Sequence, residues 1–165
     1  ALPISGVVNL TGPLNDPSVA FDSGARPALL AAGGILLAAA VGRDGVLRVS
    51  TLDPVTRTAS APVVVDSNVT VSTQGPVALG LSALSVVALA LDAQGILRAA
   101  TRPIGGGAWT PLLPVPAVIA LSPLGGVTGV TIDFGVMAIA VGIDGSVCSA
   151  LSADGLIWSP LVPLP

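Results

Sequence analysis

The sequence predicts an all-β domain built from three tandem repeats, and three observations support this. A strand–turn–strand segment recurs every 50 residues, with its turn glycine at Gly45, Gly95 and Gly145; an internal period of this size marks a repeat architecture. The chain has 20 Gly and 15 Pro but no Lys and no Glu, so it is rich in turn residues and poor in exposed helix formers. Its apolar segments are short and show the period of two that is typical of strands.

The first strand of the repeated hairpin has two apolar faces. Its odd positions are mostly large, whereas its even positions in each copy include two alanines. The odd positions are Leu37/Val87/Met137, Ala39/Leu89/Ile139 and Val41/Leu91/Val141; the alanines are Ala38/Ala88/Ala138 and Ala40/Ala90/Ala140. A strand that is apolar on both faces is buried on both. The alanine face therefore predicts that another sheet packs closely against it in every copy.

The turn of each hairpin is marked by Asp44-Gly45, Gln94-Gly95 or Asp144-Gly145. Asp-Gly between apolar strands favours a two-residue type I′ turn, in which both central residues take positive φ. We therefore predict two-residue turns centred on these pairs.

The other elements are taken in chain order. Residues 1–24 match no repeat well, and an ordinary N-terminal arm and an extra strand near Val8 are equally consistent with them. The single repeat domain, 25–165, divides into repeats at about 25–74, 75–124 and 125–165. Each has an opening strand, the hairpin, a link and a closing strand. The closing segment carries Trp109 or Trp158 in the second and third repeats and Ala59 in the first.

This repeat resembles a blade of the tectonin or tachylectin-like lectin β-propellers. The resemblance covers about residues 25–165 and rests on short motifs: Asp44-Gly45-Val46-Leu47, Gln94-Gly95-Ile96-Leu97, Asp144-Gly145-Ser146-Val147, Trp109-Thr110 and Trp158-Ser159. It implies four-stranded blades and carbohydrate bound between blades by Trp, Tyr and polar side chains. Three blades are fewer than the roughly four to eight of a closed ring. We therefore predict three propeller-like blades closed by oligomerisation, as a six-bladed ring of two chains; a β-trefoil monomer is the alternative.

Composition excludes several kinds of chemistry. The chain has no His, so imidazole catalysis and imidazole metal ligation are excluded. The nine Asp fall mostly in turn-like stretches, where turn chemistry explains them. Cys148 is the single cysteine, and no histidine is available to activate it. We therefore predict no enzyme, no metal and no cofactor.

The charge pattern and the apolar runs exclude two classes of partner. Six scattered Arg in a chain of net charge −3 form no basic stripe for nucleic acid. The apolar runs are interrupted and shorter than the roughly 20 residues of a spanning helix, so we predict no membrane span.

The candidate ligand-binding residues are Trp109, Trp158, Arg48 and Arg98. An indole stacks on a sugar ring as readily as it fills a core. The two arginines flank the hairpins, as do Arg43 and Arg102, and we expect these four as solvated rim residues.

Two functions remain open. The first is a non-catalytic, lectin-like recognition module that binds carbohydrate between blades. The alternative is a self-assembling structural protein, such as a filament, coat or virion component, without a small-molecule ligand. We expect a homo-oligomer in either case, because so apolar a chain must cover surface. Either function favours a location outside the cell or on a particle surface.

Overall fold

The computed structural model describes residues 26–32, 34–53, 55–56 and 58–165. The predicted N-terminal arm, 1–24, lies outside the described residues. Within the described part the chain forms thirteen strands and no helix, and the strands make three successive antiparallel sheets. The all-β prediction is therefore confirmed.

Each sheet is built from one repeat. Sheet 1 contains β1 (Ala28–Ala32), β2 (Ile35–Val41), β3 (Leu47–Asp53), β4 (Thr58–Ala59) and β5 (Val63–Val64), the last two both pairing with β3. Sheet 2 contains β6 (Val77–Leu81), β7 (Ser85–Leu91), β8 (Leu97–Pro103) and β9 (Leu113–Pro114). Sheet 3 contains β10 (Val127–Ile132), β11 (Gly135–Val141), β12 (Val147–Ser152) and β13 (Val162–Pro163).

The three sheets stack face to face, with sheet 2 in the middle. On β7, Val86, Ala88 and Ala90 belong to the core between sheets 1 and 2. Its alternate residues, Val87 and Leu89 among them, belong to the core between sheets 2 and 3. This is the arrangement that the two apolar faces predict, because successive side chains of a strand point to opposite sides.

The sheets come closest at their first strands. Strand β6 contacts β1 on one side and β10 on the other. A Cβ on Gly80 would lie 2.8 Å from Val136 Cγ2, and one on Gly129 would lie 3.3 Å from the Leu79 carbonyl oxygen. The Leu81 amide also donates to Thr131 Oγ1 at 3.0 Å across this contact. Three separate sheets packed in this way, one of five strands and two of four, are propeller-type blades; the β-trefoil alternative is not the fold observed.

The hairpin turns differ from the prediction. Each loop has three residues rather than two: the Gly142 amide donates to the Ser146 carbonyl at 2.8 Å, and the Gly145 amide donates to the Gly142 carbonyl at 3.0 Å. Only the third loop residue needs the left-handed region, and it is the glycine, with φ +73°, +78° and +83° at Gly45, Gly95 and Gly145. This is a type I turn closed by a glycine, a common three-residue hairpin loop.

Among the described residues there is no helix of the length and apolarity that a membrane crossing requires.

Candidate functional site

The four predicted ligand-binding residues do not come together in one site. Trp109 packs against the core between sheets 1 and 2, whereas Trp158 belongs to the core between sheets 2 and 3. Arg48 lies on β3 and Arg98 lies on β8. Each residue therefore has its own surroundings.

Arg48 is held in an ion pair. Its Nη1 donates to Asp44 Oδ1 at 2.8 Å and its Nη2 donates to Asp44 Oδ2 at 2.6 Å. These hydrogen bonds lower the pKa of Asp44 from its ordinary 3.8 to about 2. A guanidinium already engaged by both carboxylate oxygens has less to offer a ligand.

Arg98 is held more deeply. Its Nε donates at 2.8 Å to Oδ2 of Asp92, a carboxylate that is only 1% exposed. Its Nη1 also donates to the Leu112 carbonyl at 3.4 Å. Breaking a buried pair by removing one partner is strongly destabilising. We therefore assign Arg98 a structural role in this fold.

Trp158 is satisfied within the chain. The residue is 8% exposed, and its indole Nε1 donates to the Gly155 carbonyl at 3.0 Å. The segment that supplies this carbonyl begins at Ser152, whose Oγ accepts the Gly155 amide at 2.8 Å. Gly155 packs so tightly on sheet 2 that a Cβ would lie 2.5 Å from Val87 Cγ2. Trp158 thus closes the boundary between sheets 2 and 3.

Trp109 occupies the equivalent position in the second repeat, with different bonding. Its Nε1 is buried and has no hydrogen-bond partner within the described structure. The guanidinium carbon of Arg102 lies 5.3 Å from the centre of the indole ring, as in a cation–π pair. The Nε of Arg102 is buried and lacks a partner as well. Among the described residues, the side chains of this cation–π pair therefore leave two buried N–H donors unpaired.

The local sequence explains this pair. Arg102 stands near the end of β8, opposite Val86 of β7, and its side chain projects toward sheet 1. The corresponding residues in the other repeats are Leu52 and Ser152. The segment from Arg102 to Trp109 is one residue longer than that from Ser152 to Trp158 and contains the glycine triplet 105–107. A Cβ on Gly105 or Gly106 would meet nothing within 4 Å, so these two glycines do not pack against sheet 1 as Gly155 packs against sheet 2. Ile104 of the same segment does pack against the core between sheets 1 and 2.

Arg102 was expected as a solvated rim residue, and that expectation is wrong. The residue is 9% exposed, and in the described structure it has no ion pair with a carboxylate. Sequence reasoning therefore missed one half of the pair. The available signal was that arginine stands where the other repeats have leucine and serine, seven residues before a tryptophan.

The carboxylate of Asp66 joins the segment after sheet 1 to sheet 2. Asp66, in the segment after sheet 1, accepts the Asn68 amide at 2.8 Å and the Leu112 amide of the next repeat at 2.9 Å. The Asn68 amide bond is the largest cause that lowers the pKa of Asp66; the bond from Leu112 and the charge of Arg98 add to it. Between sheets 2 and 3 the corresponding Leu161 amide donates to the backbone carbonyl of Pro116 at 2.7 Å. A carboxylate therefore does at the first boundary what a main-chain carbonyl does at the second.

The Arg102–Trp109 pair has the chemistry of a site for oxygen acceptors. An unsatisfied buried donor is rare in a native protein and calls for an explanation such as a function or a bound group. Guanidinium and indole N–H groups donate only, so they match the lone pairs of hydroxyl or carboxylate oxygens. Within the described residues there is no group of three or more His, Cys, Asp or Glu side chains placed to hold a metal ion.

The fold is similar to solved lectin structures. No protein-family model and no curated protein sequence matches the chain. A triple arginine-to-alanine mutant of AofleA from Arthrobotrys oligospora superposes with a TM-score of 0.67 at 14% identity, over 90% of this chain and 44% of that chain.

Two structures of a mutant Aleuria aurantia lectin, in complex with Fucα1-6GlcNAc and with α-methyl-L-fucoside, give a TM-score of 0.55 at 13% identity. They cover 87% of this chain and 47% and 46% of the lectin. The chain therefore spans less than half the length of the structures it matches. At these identities the likeness is one of fold alone: the sheets are arranged as in these lectin structures, and the tectonin kind is not singled out.

Proposed function

We propose that the chain is a non-catalytic, lectin-like recognition module whose carbohydrate site is the Arg102–Trp109 pair. The observation that carries the proposal concerns two side chains in cation–π contact: in the described part of the chain, the Nε–H of Arg102 and the Nε1–H of Trp109 are buried without hydrogen-bond partners. Sugar hydroxyls supply the acceptors these donors lack, and a bound hydroxyl would remove the desolvation penalty that each of them now carries. The fold supports the proposal, because the similar solved structures include a lectin in complex with fucosides.

Among the four residues predicted from sequence, Trp109 keeps a binding role in this proposal. It acts by its Nε1 edge, since the Arg102 guanidinium lies over its ring. Trp158 and Arg98 act as structural residues, because their polar atoms are already bonded within the chain. Both unpaired donors are inaccessible in this structure, so binding requires neighbouring atoms to move. We place that movement in the open glycine segment 105–107 that joins the two residues.

The test is a calorimetric titration of the chain with α-methyl-L-fucoside and a panel of other methyl glycosides. W109F removes the unpaired N–H and keeps an aromatic ring. R102L introduces the residue type that repeat one has at position 52. We expect W109F to weaken binding about fivefold, since one hydrogen bond contributes roughly 1 kcal/mol. We expect R102L to weaken it further, since hydrogen bonds to charged groups are stronger.

The matched control is W158F, which makes the same change at a bonded indole and leaves affinity within about twofold. The proposal is wrong if no glycoside of the panel binds, or if W109F and R102L bind as the unmodified chain does. Absence of binding would also favour the alternative, a self-assembling structural protein without a small-molecule ligand.

A further inference from the structure

Within the described residues, no further sheet covers the outer faces of sheets 1 and 3, which are the two ends of the sheet stack and carry apolar side chains. The head face is the outer side of sheet 3; its residues are Val130, Met137, Ile139, Val147 and Leu151. The tail face is the outer side of sheet 1; its residues are Leu29, Ala31, Leu36, Ala38 and Ala40. On the head face, Val147 and Leu151 are 46% and 42% exposed.

The internal repeat shows what covers such a face. The residues equivalent to Ile139 and Val147 are Leu89 and Leu97 in sheet 2, and both are fully buried against sheet 3. The covering surface there is the alanine face of β11, with Ala138 and Ala140 fully buried. The boundary between sheets 1 and 2 has the same arrangement, with the alanine face of β7 against Leu37 and Val49. The head face is therefore complementary in shape to an alanine face. Sheet 1 has a third such alanine face, the tail face, on which Ala38 and Ala40 are only half-buried.

We propose that a second copy of this chain covers both faces. The tail face of each copy packs on the head face of the other copy. The occupant is argued from continuity with the two existing boundaries, because the head–tail contact repeats a packing that the chain already makes twice. Two such contacts related by a twofold axis close a ring, whereas a head-to-tail contact that does not close gives a filament. The similar solved structures are about twice as long as this chain, so two copies supply the material of one such structure.

The inferred ring limits the number of carbohydrate sites, and this point rests on the proposed function. At each boundary between copies, sheet 1 contributes Leu52 and Ala59 where sheet 2 has Arg102 and Trp109. The boundaries between copies are thus apolar seals. Each copy keeps its own site within the chain, and the ring has two.

The test is sedimentation velocity over a dilution series. We expect a single species of twice the 16.0 kDa chain mass. I139E places a charge in the centre of the head face, and A38E does so on the tail face. Each should raise the dimer dissociation constant at least about 100-fold, because an unpaired charge buried in an interface is strongly unfavourable. L151E, at a more exposed head-face position, tests the head face again should I139E fail to fold.

The matched control is L84E, at an apolar residue that is 81% exposed and lies outside both faces; its dimer should be unchanged. A monomeric unmodified chain overturns the inference. A dimer that A38E leaves intact also overturns it, since two head faces would then be packed together. Long polymers contradict the closed ring.

The two proposals fail separately. W109F should remove glycoside binding from an intact dimer, while I139E should separate the copies and leave one working site per chain. A folded, monomeric I139E chain that no longer binds glycoside would contradict the placement of a complete site within one copy, because both site residues belong to the same chain.

Discussion

The two boundaries between sheets are built from equivalent positions and are satisfied in different ways. Between sheets 2 and 3, Trp158 donates to the Gly155 carbonyl and the Leu161 amide donates to the Pro116 carbonyl. Between sheets 1 and 2, Trp109 has no acceptor for its Nε1 among the described residues, and the Leu112 amide donates to the Asp66 carboxylate. The boundary between sheets 2 and 3 is closed by main-chain acceptors. The boundary between sheets 1 and 2 depends on the Asp66 side chain and leaves the Nε–H of Arg102 and the Nε1–H of Trp109 unpaired within the described residues.

The difference supports the proposed place of function in the repeat. A fold specified consistently at every level satisfies its buried polar groups, and real proteins break this rule mainly at functional sites. Sheets 2 and 3 follow the rule at their boundary. The Arg102–Trp109 pair departs from this rule, because its two buried N–H donors have no partners among the described residues. We therefore propose that recognition takes place between sheets 1 and 2.

The largest expected effect comes from the segment that closes the second boundary. Gly155 has φ +81°, and a Cβ there would lie 2.5 Å from Val87 Cγ2 and 2.7 Å from Thr101 Cγ2. G155A should lower the free energy of unfolding by about 3 kcal/mol, through left-handed strain and overpacking together. The control is G106A, at φ +100° with nothing within 4 Å, which should lose only about 1 kcal/mol of strain. Equal losses in urea unfolding would show that the segment does not press on sheet 2.

The next effect compares the two acceptors, the Asp66 carboxylate at one boundary and the Pro116 carbonyl at the other. D66A leaves the Leu112 and Asn68 amides without their acceptor, and should destabilise the fold by about 2 kcal/mol. P116A keeps the main-chain carbonyl that serves the second boundary and should change stability by less than about 0.5 kcal/mol. Chemical unfolding of both variants measures the difference. A D66A variant as stable as P116A would mean that Asp66 does not tie sheet 1 to sheet 2.

Acid should weaken the fold through its aspartates. The pKa is lowered in the folded chain for Asp44, to about 2, chiefly by the Arg48 hydrogen bond, and for Asp66, chiefly by the Asn68 amide. A lowered folded pKa gives stability that is present above the unfolded value of 3.8 and is lost as the pH falls toward the folded value. The temperature at the midpoint of thermal unfolding should therefore decrease as the pH is lowered below about 4. The midpoint temperature should decrease less with acid in D66A than in the unmodified chain. An equal decrease in both would show that Asp66 does not contribute to the acid sensitivity.

The smallest effect compares the two indoles by stability alone. W158F leaves the Gly155 carbonyl without its donor and should cost about 1 kcal/mol. W109F removes a buried donor that has no partner, so the free energy of unfolding should stay within about 0.5 kcal/mol or rise. The comparison is contradicted if W109F is the more destabilised variant in urea.

Most of the architecture was predictable from the sequence, because it follows from patterns repeated in all three copies. The 50-residue period gave one sheet per repeat, and the paired apolar faces of β7 and β11 predicted stacked sheets. The turn type was not predictable from Asp-Gly, because that pair also ends a three-residue loop. The hydrogen bond from the Gly45 amide to the Gly42 carbonyl decides between the two, and the Asp-Gly pair does not report it.

The candidate site was only half predictable. Trp109 is visible as a repeated aromatic residue, but Trp158 matches it in sequence and differs in bonding. Arg102 has no counterpart in the other repeats, so comparison by period does not select it. Its burial depends on packing toward sheet 1 and on the longer segment that follows it. Arg48 and Arg98 do repeat, and the partners they find are aspartates of their own hairpins.

The most direct test of the central claim is the indole N–H region of a ¹H–¹⁵N NMR spectrum. The chain has two Trp and therefore two indole signals, which W109F and W158F assign. On addition of the glycoside that binds best, the account predicts that the Trp109 signal shifts and its hydrogen exchange slows, while the Trp158 signal stays in place. A saturating glycoside that moves neither signal, or moves Trp158 alone, would contradict the assignment of recognition to the Arg102–Trp109 pair.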